Sequence, residues 1–165
     1  MKVKFLFSFC LFFLLSCSGF ELVLKENSMP NLFKNKTAII VEGKKNEKFI
    51  QELFSFLGNN QDSKYKLVTS FSEKKENRLV KKNQVAQKVD YELTANYDIY
   101  LKDKSCKIFN KKIVTKFAFV PKSFGYNFGT DRSLEKLYRG SVRKNIQNFI
   151  NSAPTQEQSV CIREN

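Results

Sequence analysis

Val89-Asp90-Tyr91-Glu92-Leu93-Thr94-Ala95-Asn96-Tyr97-Asp98-Ile99-Tyr100-Leu101-Lys102 is the stretch that decides the fold. Its odd positions, Val89 to Leu101, form one apolar series. The even positions carry carboxylates, hydroxyls, an amide and a terminal lysine. A period of two sends successive side chains to opposite faces of a strand. One face therefore lies on a core and the other is polar, the pattern of an antiparallel sheet covered on one side.

Working outward, Asp103-Lys104-Ser105 turns the chain and Cys106 to Val120 returns as the partner strand, with Ile113, Thr115, Phe117 and Phe119 on one face. Pro121 ends it. Upstream, Tyr65 to Phe71 predicts another strand, and the charged residues 72–88 predict a hairpin or loop with Arg78 to Val80 extended. The short β-branched run Thr37 to Glu42 predicts the first strand. Gly43 to Asn46 turns into a helix with Asn46 as N-cap and Glu47 in its first turn. Phe49, Ile50, Leu53, Phe54 and Leu57 form its apolar stripe, and Gly58-Asn59-Asn60 stops it.

Phe124 to Gly129 reads as an aromatic loop. A second helix follows, capped by Thr130 or Asp131, with Leu134, Leu137, Tyr138, Val142, Ile146, Phe149 and Ile150 at helical spacing. Pro154 follows its end. The predicted fold is an α+β two-layer sandwich of order β-α-β-β-β-α, a mostly antiparallel sheet covered on one face by two helices.

The N-terminus carries an address. Lys2 and Lys4 precede an apolar run from Phe5 to Leu15. As a helix it reaches roughly 16 Å, about half a bilayer core, which suits a signal peptide and cannot span. Leu14-Leu15-Ser16-Cys17 resembles a bacterial lipobox. The Cys17 thiolate would take a diacylglyceryl thioether, and the small Ser16 admits the peptidase. Three acyl chains, at ~0.8 kcal/mol per buried CH2, make such anchoring effectively permanent. Ser18 replaces the Asp that retains lipoproteins at the inner membrane, so it favours the outer one. The expected division is 1–16 signal peptide, 17–36 lipid anchor and tether, 37–153 a single domain and 154–165 a polar tail.

Removing residues 1–16 leaves 149, enough for one domain with a core. The mature chain keeps 27 basic against 16 acidic residues, a net charge of +11. An anionic partner accounts for this excess: a phosphorylated lipid or a membrane surface, with nucleic acid set aside by export. Codon bias accounts for it equally, since only five basic residues are Arg (Arg78, Arg132, Arg139, Arg143, Arg163) and Asn, Phe and Ile abound. Of four cysteines, Cys10 leaves with the signal peptide and Cys17 is acylated. Cys106 and Cys161 remain in an oxidising compartment, free to pair or to stay as thiols.

The chain has no histidine, which removes Ser-His-Asp and Cys-His catalysis and most zinc sites. It holds no Cys-x-x-Cys, phosphate-binding glycine loop or HExxH motif. Asp90, Glu92 and Asp98 are explained by a solvated sheet face, and the aromatics around Tyr126 by packing at the domain's end. The residues argue against an enzyme, a metal site or a cofactor.

Taken in order, the chain resembles the LPS-assembly lipoprotein family, LptE, in its alphaproteobacterial form. The likeness runs from Cys17-Ser18-Gly19-Phe20, with Ser18 inserted, through Tyr65-Lys66-Leu67 and the polar hairpin. It continues in the long strand Val89 to Tyr97, Phe124-Gly125-Tyr126-Asn127, and the amphipathic segment Asp131 to Ile150. The resemblance implies a non-catalytic outer-membrane lipoprotein on the periplasmic side. It would plug and help assemble the barrel LptD and contact lipopolysaccharide. Arg78, Lys81 and Lys82 in the hairpin, with Lys111 and Lys112 in the returning strand, are then the candidate phosphate contacts. A solvated surface explains the same lysines. The alternative function is an accessory lipoprotein of a phospholipid-transport or secretion system.

Overall fold

The computed structural model describes residues 31–79, 87–103, 106–120, 128–154 and 161–162. Six elements follow in the expected order: β1 (Thr37–Glu42), α1 (Glu47–Leu57), β2 (Tyr65–Leu79), β3 (Gln87–Leu101), β4 (Cys106–Phe119) and α2 (Phe128–Ser152). They form an α+β fold around one four-stranded sheet in the order β1-β2-β3-β4. β1 runs parallel to β2, joined through α1, while β2, β3 and β4 form an antiparallel meander.

The alternation in β3 does what its sequence dictates. Leu93, Ala95, Tyr97 and Ile99 are at most 1% exposed, while Asp90, Glu92 and Thr94 on the other face stay half-buried. α1 lays Phe49, Leu53 and Leu57 on the sheet, and α2 adds Tyr138, Val142, Ile146 and Phe149. Tyr97 stacks on Phe149 with ring centroids 4.1 Å apart, and Phe49 on Phe71 at 4.6 Å. Each such buried side chain stabilises the fold by roughly 1.5–3 kcal/mol.

α1 starts where its cap requires. Asn46 Oδ1 accepts the Phe49 amide at 3.0 Å. The helix ends at Gly58, whose positive φ of 70° lets its N–H reach Phe54 O at 2.8 Å. A Cβ at Gly58 would collide with Asn35.

Three expectations change. β2 does not stop at Phe71 but continues through residues 72–79, paired with β3 up to Leu79–Gln87. Ser72 to Arg78 are exposed, so that half of the strand carries no apolar alternation to reveal it. α2 begins at Phe128, which places Thr130 and Asp131 inside the helix rather than at its cap. Phe33, within the stretch assigned to the tether, is only 2% exposed and meets Tyr65 edge-on at 5.0 Å. The aromatic loop's residues 124–127 lie outside the described residues, as do 1–30 with Cys17.

Candidate functional site

One face of the sheet is covered by helices. The other is open, and its charged side chains are the candidate working surface. Cross-strand register sets them in rows, because directly opposed residues share a face. Lys74, Glu92 and Lys116 make one row, and Glu76, Asp90 and Ala118 the next. Lys116 Nζ lies 2.8 Å from Glu92, and Lys74 Nζ 2.7 Å from Glu76. The hydrogen bonds from these ammoniums hold the Glu92 and Glu76 carboxyls below their ordinary range. The Glu76 carboxylate in turn raises Lys74. The rows border a shallow concavity of about 370 Å³.

Arg78 stands at the hairpin end of this face. Its Nε is 2.8 Å from Asp90 Oδ2, and a guanidinium nitrogen lies 3.8 Å from Glu76. Lys88 also reaches Asp90, at 3.4 Å. Asp90 thus serves two cations, and Arg78 is already committed within the chain. Lys81 and Lys82 lie outside the described residues.

Lys111 and Lys112 sit elsewhere. Lys112 pairs in register with Asn96 and Lys111 with Tyr97. They are therefore near the middle of the sheet and project to opposite faces, Lys112 to the open side and Lys111 to the helix side. Eight residues of β3 separate Lys88, the partner of Arg78, from Asn96, or roughly 26 Å along the strand. The five cations read from the sequence do not form one patch. Both Lys111 and Lys112 are exposed, and neither forms an ion pair with a described residue.

At the other end of the open face, Lys66 and Lys107 flank the Tyr100 ring at 5.1 and 5.7 Å. Lys107 also lies 3.5 Å from Asp98, which accepts a hydrogen bond from the Asn110 amide.

The covered face holds polar groups that sequence reasoning missed. Asn145 of α2 is fully buried: its amide accepts from Tyr97 Oη and donates to Ile113 O and Thr115 Oγ1, both at 3.1 Å. Glu52 of α1, 8% exposed, binds Arg143 Nε at 2.8 Å and lies 3.5 Å from Arg139 Nε. Beside the N-cap of α1, Tyr138 Oη of α2 donates to Glu73 at 2.8 Å and accepts from the Asn46 amide at 2.9 Å. Burial, helped by the Glu73 carboxylate, pushes the Tyr138 phenol up. These groups bind one another and so join helix to helix or helix to sheet. The one advance signal was a polar residue inside an apolar stripe, as at Asn145 between Val142 and Ile146.

Cys106 and Cys161 form a disulfide with Cα atoms 5.6 Å apart. Ile162 N–H then donates to Lys107 O at 2.7 Å, so residues 161–162 lie against the start of β4. Among the described residues, no group of three or more Cys, Asp or Glu is placed to hold a metal ion. No described helix is long and apolar enough to cross a membrane.

Fold and surface together define a small two-layer α+β domain with an open, charge-paired sheet face. No protein-family model and no curated protein sequence matches the chain. Among solved structures, it resembles a Caulobacter crescentus protein described as a lipoprotein, at 10% identity and a TM-score of 0.51, over 71% of this chain and 86% of the other. It also resembles a minor lipoprotein from Acinetobacter baumannii, at 15% identity and a TM-score of 0.50, over 71% and 88%. At these identities the likeness shows a shared fold.

Proposed function

We propose that this chain is an outer-membrane lipoprotein, anchored through Cys17 on the periplasmic side, that plugs and helps assemble the barrel LptD and so aids lipopolysaccharide delivery to the surface. The observation that carries the reading is the open sheet face. It is mainly polar, with Ile40, Val68 and Val114 among its charged and hydroxyl side chains, and its carboxylates at 76, 90, 92 and 98 are each held by a cation. The interior of a large membrane barrel is polar, so a body lodged there must present such a surface. The lipobox at Leu14 to Cys17 and a fold shared with two solved proteins described as lipoproteins support the same reading. The role is one of assembly and binding, without a catalytic step.

The test is affinity purification of the tagged mature chain in mild detergent, together with its depletion. A stable complex with the barrel is expected, and depletion should leave the barrel misfolded and lipopolysaccharide below the surface. Unchanged barrel level and surface lipopolysaccharide, with failed phospholipid traffic, would replace the reading with the accessory phospholipid-transport lipoprotein.

A further inference from the structure

The sheet has two edges, and the chain treats them differently. β1 is six residues long, and the segment after α1 closes it: Ile39 N–H donates to Asn59 Oδ1 at 3.1 Å, and Thr37 O accepts the Asn60 amide at 3.0 Å. β4 is fourteen residues long. Among the described residues its outer edge carries one main-chain bond, Ile162 N–H to Lys107 O, held in place by the neighbouring disulfide. The protein's own chain has thus laid a first rung on this edge and gone no further within the described residues. Beyond that rung, Phe109 to Phe119 is roughly 33 Å of strand whose outward amides and carbonyls are bonded by no described residue.

Charge selects the partner. β4 holds Lys107, Lys111, Lys112 and Lys116 and no acidic residue. A second copy of β4 laid alongside would bring lysines against lysines, and lysines on an edge strand oppose self-pairing. Ile108 adds to this, since it is the extra residue between Lys107 and Phe109 where the register with β3 shifts, and a bulge turns a strand out of line. Lys107 and Lys116 already meet Asp98 and Glu92, whereas Lys111 and Lys112 have no ion-pair partner among the described residues. Because Lys111 and Lys112 project to opposite faces, two consecutive acidic residues on an added strand would meet one each. Val114, 43% exposed between Lys112 and Lys116 on the open face, would pack on an apolar residue nearby.

We infer that the outer edge of β4 from Phe109 to Phe119 is a strand-addition site for an extended, acidic segment of a protein partner. Main-chain hydrogen bonds supply the binding, and the Lys111–Lys112 pair sets the register. The inference does not depend on the identity of the barrel.

The test uses the mature full-length chain in mild detergent and three synthetic eleven-residue peptides. The first alternates Val and Thr around a central Glu-Glu pair. The second replaces that pair with Lys-Lys. The third keeps the Glu pair but carries N-methyl groups on alternate amides, which removes main-chain donors and leaves the side chains. Fluorescence anisotropy at physiological salt should show the first binding at least tenfold more tightly than either other. Amide hydrogen exchange should slow in 109–119 on its addition. Lys111→Glu with Lys112→Glu should reverse the preference between the Glu and Lys peptides. Equal binding of the N-methylated peptide would reduce the effect to charge alone and overturn the inference. So would protection outside β4, or a concentration-dependent dimer protected at β4, which would make a second copy the occupant.

Discussion

Tyr97, in the middle of β3, donates its phenolic hydrogen to Asn145 Oδ1 of α2 at 2.8 Å, and both side chains are wholly buried. The Asn145 amide group spends its hydrogens on Ile113 O and Thr115 of β4. One side chain thereby ties α2 to two neighbouring strands. A buried amide with all its groups satisfied fixes a helix in one position, whereas apolar packing alone tolerates sliding.

Asn145→Ala should cost about 2–4 kcal/mol in urea unfolding, because it leaves the Tyr97 hydroxyl buried without its acceptor and opens a small cavity. Tyr97→Phe should cost about 1–2 kcal/mol. The double variant should cost less than the sum, since each single change strands the other's partner. Single costs below about 0.5 kcal/mol would show that the network does not hold the helix.

Tyr97 and Tyr138 predict an alkaline limit. Burial raises both phenols above their ordinary value, for Tyr138 with help from Glu73. In the unfolded chain they ionise near the usual pH of about 10. Below that pH both states hold the proton and the stabilisation is complete. Above it the unfolded state loses protons first, so stability falls as pH climbs towards the folded values. Absorbance at 295 nm should show these two phenols ionising only as the fold is lost. Free titration of all six tyrosines in folded protein would contradict this.

The disulfide links residues 55 apart. Chain entropy alone gives about 4 kcal/mol for closing such a loop. Residual structure in the unfolded chain lowers the expected loss for Cys106→Ala with Cys161→Ala to about 1–4 kcal/mol. Non-reducing mass spectrometry of periplasmic material should show no free thiol at either position.

Cys17→Ala should release the protein from membranes, because the acyl chains are its expected anchor. Fractionation of the variant wholly with membrane would show that the apolar N-terminus is retained instead.

Lys81→Glu with Lys82→Glu should weaken lipopolysaccharide contact while leaving a barrel complex intact, since a rim charge acts chiefly on an anionic ligand. Arg78→Glu should behave differently. It sets a carboxylate against Asp90 and Glu76, both now within reach of Arg78, so hydrogen exchange in the hairpin should quicken. Equal effects from the two variants would deny the distinction.

Much of the fold was legible because burial is one-sided. β3 and α1 each show an apolar series at the right period, β1 is a short β-branched run, and the element order follows from them. The far half of β2 was illegible for the same physical reason. Ser72 to Arg78 are all exposed, so nothing in their pattern separates a paired strand from a loop. The scattering of the candidate cations was within reach, since Lys111 and Lys112 are consecutive in a strand and must project to opposite faces. The distance from Arg78 to that pair was not, because it depends on how far β2 runs beyond Phe71. Glu52 was hidden because its burial depends on partners remote in sequence, and Asn145 showed only as a polar residue inside an apolar stripe.

The parallel pairing of β1 with β2 also has a temporal side. Leu101 and Cys106 pair five residues apart, whereas Thr37 must find Tyr65 across α1, 28 residues away. Nearby pairings form fastest, because less chain entropy is lost in closing them. The meander is therefore expected to assemble before β1 joins it. For a chain threaded across a membrane from its N-terminus, the β-branched run Ile39-Ile40-Val41 emerges early and docks late. During that interval it is an unpaired, apolar segment open to wrong pairings.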